Sequence, residues 1–192
     1  MRIGEVIKKE REKINKTVEE MAKAMDMPLE FYQSIEAGDT PMERWAPIHA
    51  WIAIKLEKPM SRFVAKSGKT KDAKKGQFGE LLKARREEQK KSLEELAKAV
   101  REGAMDYAQQ FPRPKDNFFL DENEVNAPKD RAEKLAKEIA ALCDDFAKIE
   151  AGKSDMEKWA PIILACAEQI EQPVFNFIYP CSLPASSLDD YP

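Results

Sequence analysis

The sequence predicts an all-α protein in which one small helical unit occurs twice. Three observations predict it: a long internal repeat, apolar residues spaced three and four apart in both copies, and a composition with 35% charged residues and only 7 glycines. The segment IEAGDTPMERWAPI from Ile35 returns as IEAGKSDMEKWAPI from Ile149, an offset of 114 residues. Upstream, IGEVIKKERE from Ile3 is matched by FGELLKARRE from Phe78, and TVEEMAKAM from Thr17 by SLEELAKAV from Ser92, both at an offset of 75. The step from 75 to 114 measures an insertion of 39 residues in the second copy.

In the first copy, residues 1–64, Ile3, Val6, Ile7 and Ile14 share one face of a first helix. Thr17 caps a second helix carrying Val18, Met21, Ala22 and Met25 on its apolar side. A third helix turns Leu29, Tyr32 and Ile35 inward and leaves Glu30, Phe31, Gln33 and Ser34 outside. Gly38 ends that helix in a positive-φ turn, and Thr40 caps the next, where Trp45-Ala46-Pro47 fills core or an interface between copies. Four to five short helices per copy are expected.

Residues 65–77 form a linker with five lysines, Lys66, Lys69, Lys71, Lys74 and Lys75, against the single Asp72. Lysines in this pattern either neutralise phosphates or merely keep a spacer soluble. Fully extended, its residues reach about 40 Å, enough to span two DNA half-sites about 34 Å apart.

The second copy, residues 78–180, repeats the apolar face with Phe78, Leu81 and Leu82, then Leu93, Leu96, Ala97 and Val100. Two segments fit its second helix, Ser92–Val100 and Asp130–Ile139. The capping box begun by Ser92 and Glu95 favours the first and places the insertion at about residues 101–130. From Gly103 to Pro128 the chain reads as a long loop whose one apolar burst holds Phe118 and Phe119. Gly152 and Ser154 repeat the turn and cap, and residues 181–192 form a tail.

This pattern resembles the Cro/C1-type (XRE) helix-turn-helix family, and the residues that carry the resemblance are Gly4, Arg11, Thr17, Ala22, Ile35, Glu36 and Gly38, with their counterparts Gly79, Arg86, Ser92, Ala97, Ile149, Glu150 and Gly152. It implies two tandem lambda-repressor-like domains. It also implies structural ion pairs, Arg11 with Glu36 and Arg86 with Glu150, tying each first helix to its third. The implied activity is that of a transcriptional regulator on double-stranded DNA. Thr17, Glu30, Phe31, Gln33 and Ser34 would contact DNA, helped by Lys69, Lys71, Lys74 and Lys75.

Two departures qualify the implied function. Val18 and Leu93 stand where the family grips phosphate with a polar side chain, and the second third helix offers Asp144, Asp145, Ala147 and Lys148 to a polyanion. Copy one is therefore the expected reader. The alternative is a protein-interaction module on a scaffold that has lost readout, with Phe31, the acidic third helix of the second copy and the Phe118-Phe119 loop as contacts.

Other function classes find no support in the residues. His49, the single histidine, is expected to be an ordinary surface or helix-face residue, and no phosphate loop, nucleophile elbow or metal motif occurs, so no cofactor, metal or catalytic role is expected. Cys143, Cys166 and Cys181 fit neither a zinc site nor a disulfide framework, and no apolar run approaches a membrane span, which suggests a cytoplasmic protein without membrane contact. The expected state is a monomer with pseudo-two-fold packing of its copies, or a homodimer.

Overall fold

The computed structural model describes residues 2–110 and 128–178 and is all-α: among these residues no strand occurs. The order is α1 (Ile3–Lys13), α2 (Val18–Ala24), α3 (Leu29–Glu36), α4 (Met42–Lys55), α5 (Ser61–Val64), α6 (Gln77–Glu88), α7 (Leu93–Gln110), α8 (Pro128–Glu150), α9 (Met156–Gln169) and α10 (Val174–Ile178). The expected Phe118-Phe119 contact, Cys181 and the tail lie outside the described residues. No helix among them is long and apolar enough to cross a membrane.

The two repeats fold alike, and the likeness reaches individual hydrogen bonds. Thr17 and Glu20 form a reciprocal cap at the start of α2, Thr17 Oγ1 accepting from the Glu20 amide at 3.1 Å and the Glu20 carboxylate from the Thr17 amide at 2.7 Å. Ser92 and Glu95 do the same for α7, at 3.1 and 2.6 Å. The Glu95 carboxyl is held below its usual range, first by that backbone bond to Ser92. Ser92–Val100, with Leu96, Ala97 and Val100 buried, is therefore the second helix of repeat two.

Arg11 grips Glu36 with two bonds, 2.6 and 3.0 Å, and Arg86 grips Glu150 at 2.7 and 2.9 Å. Each arginine also donates to the carbonyl just beyond its own helix, Lys16 or Lys91, at 2.7 Å. The fork geometry of guanidinium makes this three-way grip possible, and the carboxylate hydrogen bond raises both arginine pKa values. Beside each pair the first helix touches the third through a glycine. A Cβ on Gly4 would lie 2.1 Å from the Ile35 carbonyl oxygen, and one on Gly79 would lie 2.2 Å from that of Ile149. Gly38 and Gly152 end the third helices at φ 73° and 66°, as the sequence predicts. Ser154 Oγ accepts from the Met156 amide at 3.2 Å, whereas Thr40 contributes its backbone carbonyl and not its side chain.

Three expectations need correction. The insertion runs further than residue 130: α7 continues past Val100, and the first part of α8 packs back on it, joined by Arg101 to Glu138 at 2.6 Å. Asp130–Ile139 is thus the opening of a long helix whose last turns, Cys143–Glu150, supply the third helix of repeat two. The linker is not an extended tether. It folds into a 3-10 turn at Thr70–Asp72 that lies against α9, with Ser67 Oγ bonded to Asp72 at 2.6 Å. His49 is fully buried rather than on a surface, edge-on to Phe78 at 4.9 Å and Phe63 at 6.4 Å.

The repeats share one continuous core and exchange their fifth helices. Helix α5 packs on α6 and α9 of the second repeat, and α10 packs on α1 and α4 of the first as well as on α9. Phe63 and Phe177, one repeat offset apart, are both fully buried. Trp51 meets Phe175 across this boundary, ring centroids 6.1 Å apart. Neither repeat therefore buries its apolar surface alone, and the exchange is reciprocal, as across a two-fold axis.

Candidate functional site

The residues singled out from the sequence as DNA contacts lie at the cap of α2, on the third helix α3 and on the lysine-bearing strap formed by residues 65–77. On α3, Glu30 and Gln33 are exposed. Ser34 is half-buried, and its hydroxyl donates to the Phe31 carbonyl at 2.7 Å. Thr17 is exposed but its hydroxyl is taken by the cap. The exposed acids Glu19, Glu20, Asp26 and Glu30 crowd the start of α2 and α3 in repeat one, and Glu94, Glu95 and Asp144 occupy the like region in repeat two.

Phe31 is not free. Its ring lies 5.7 Å from that of Trp159 on α9, and the Lys158 ammonium sits over both rings at 5.3 and 5.6 Å. The counterpart positions make the reverse contact: Arg44 on α4 pairs with Asp145 on α8. Position 44 or 158 on a fourth helix thus meets position 145 or 31 on the other repeat's third helix. One contact is cation over aromatic, the other an ion pair, yet both use the same places in the fold. The outward face expected on the third helix is in part the surface that holds the repeats together.

A second pair of cross-repeat bonds fixes the fourth helices. Lys16 Nζ donates to the Gln169 carbonyl at the end of α9 at 2.7 Å, and Lys91 Nζ to the Lys55 carbonyl at the end of α4 at 2.6 Å. A cation at a helix C-terminus satisfies orphan carbonyls and complements the helix dipole. Sequence reasoning missed both lysines. Their signal was present, since they occupy one repeat position, but an unmarked Lys in a loop reads as solvent-exposed.

The strap keeps all five of its lysines exposed. Lys74 and Lys75 border a cleft of about 390 Å³ between the strap and the start of α9. A smaller cleft of about 220 Å³ lies between α4 and α8 beside Arg44 and Asp145. Burial pushes the Cys166 thiol up to about 12, which removes it as a nucleophile, and no three His, Cys, Asp or Glu residues among those described are grouped to hold a metal. The chain matches no protein-family model, no curated protein and no solved structure.

Proposed function

We propose that this chain is a tandem Cro/C1-type helix-turn-helix protein that works as a protein-interaction module rather than as a base-reading regulator. The observation that carries the reading is the contact of Phe31 with Trp159, mirrored by Arg44 with Asp145. A helix that enters the major groove must present its outer face to base edges. Here the middle of that face is covered by the other repeat, and what stays exposed is largely acidic. Carboxylates facing a polyanion weaken association, whereas they suit a basic protein surface.

The exposed strap lysines favour a second, weaker activity: sequence-independent contact with phosphate. Fluorescence anisotropy of labelled duplexes at low and moderate salt separates these readings. The module reading predicts no preference among sequences, with any residual binding lost when Lys69, Lys71, Lys74 and Lys75 are replaced by Ala. It also predicts a partner that co-purifies after nuclease treatment. A sequence-selective footprint that vanishes in Gln33→Ala would overturn it.

A further inference from the structure

The cleft under the strap carries an inference that goes beyond the interaction reading and stands independently of it, because no third-helix side chain lines it. Its volume of about 390 Å³ lies near the lower end of the range for small-ligand sites, so it suits a compact molecule. Val64, Phe78 and Pro161 give it an apolar wall, and the exposed lysines Lys74, Lys75 and Lys158 bring three ammonium groups to its lining.

Charge decides what such a space can hold. None of the three ammonium groups forms an ion pair among the described residues. The repeat-one counterpart of Lys158 is Arg44, which Asp145 neutralises. Lys158 instead lies over the rings of Phe31 and Trp159, which attract a cation without cancelling its charge. Two acids also line the cleft. Glu157 gives Oε2 to the Gly76 amide at 2.7 Å and has Oε1 buried, which leaves Asp155 as the exposed carboxylate of the lining. Ammonium groups therefore outnumber carboxylates at the opening, and a cleft lined by one surplus sign concentrates the opposite one. Three lysines against Asp155 and Glu157 leave a formal charge of +1, which matches a monovalent anion rather than a doubly charged phosphate ester.

We propose that this cleft binds a small apolar monocarboxylate, its carboxylate among Lys74, Lys75 and Lys158 and its hydrocarbon body against Val64, Phe78 and Pro161. Ammonium groups donate charge-assisted hydrogen bonds to a carboxylate, and the wall takes the apolar remainder out of water. A neutral apolar molecule would leave the lysines without a counter-charge, a cation would meet their repulsion, and an inorganic anion would leave the apolar wall wet.

Isothermal titration of the full chain with 3-phenylpropionate, 3-phenylpropanamide and acetate tests this. Saturable binding of 3-phenylpropionate is expected, weakened at least about tenfold when the charge is removed in the amide or the apolar body is removed in acetate. The exposed double variant Lys74→Ala/Lys75→Ala, which leaves the core untouched, should bind the acid little better than the amide. Absence of saturable 3-phenylpropionate binding at millimolar concentration, either analogue binding as tightly as the acid, or a double variant with an unchanged preference for the acid would overturn the proposal.

Discussion

Lys16 and Gln169 stand 153 positions apart, yet the Lys16 ammonium lies 2.7 Å from the Gln169 carbonyl oxygen. Lys91 repeats the bond at the end of α4. With the exchanged fifth helices, these bonds bind the repeats into a single cooperative unit. Lys16→Met and Lys91→Met should each cost about 1 kcal/mol, the top of the range for an exposed cation at a helix end and about half the most that a partly buried one contributes. Scanning calorimetry should show one transition with equal calorimetric and van't Hoff enthalpies; two separable transitions would mean that each repeat melts alone.

The ion pairs of Arg11 with Glu36 and Arg86 with Glu150 are more deeply set than surface pairs, with all four side chains at most 12% exposed. Removing one partner leaves the other charged and desolvated. Arg11→Ala and Arg86→Ala should therefore each lower stability by about 3 to 5 kcal/mol, read from urea unfolding. Changing both members of one pair to apolar residues should cost less than either single change.

His49 contributes a pH dependence with a defined sign. Burial lowers its pKa to about 3, opposed by the bond between Nε2 and the Met60 carbonyl at 3.2 Å. The unfolded chain takes up a proton near pH 6.5, so it binds more protons than the native state between about pH 6.5 and 3. Stability is then full above that window and falls as the pH drops through it, by up to about 1.4 kcal/mol per unit. Ile163 holds the same place in repeat two and is likewise fully buried. His49→Ile should flatten the stability profile from about pH 6 to 4; an unchanged slope would assign it to other groups.

Gly79 has no room for a methyl group, since its Cβ would press on the Ile149 carbonyl oxygen, a backbone atom that cannot step aside. Gly79→Ala should force α6 away from the end of α8 and cost about 1 to 3 kcal/mol. Gly4→Ala should act alike at α1 and α3. Loss of amide protection confined to the affected first and third helices, measured by hydrogen exchange, would accompany it.

Much of this architecture was legible in the sequence because it is local. Caps at Thr17 and Ser92, left-handed turns at Gly38 and Gly152, and the apolar stripes are set by neighbours within a few residues, and the repeat doubled each signal. Contacts between repeats were not legible. Helical spacing says which face is apolar but not whose surface covers it, and Phe31 and Asp145 differ too much in chemistry to betray a shared role. Helical spacing left His49 between a surface and a helix-face position, although Ile163, an apolar residue at the same repeat position, marked the site as core. The end of the insertion was hidden because Asp130–Ile139 keeps a helical pattern within α8 whichever part it plays.

The contact on which the functional reading turns is that of Phe31 with Trp159, and a double-mutant cycle of Phe31→Ala and Trp159→Ala measures it most directly. A coupling energy of about 0.5 to 1.5 kcal/mol is expected for aromatic rings held this way. Additive effects of the two substitutions, with no coupling, would leave Phe31 free at the surface and return the third helix to the reading of DNA.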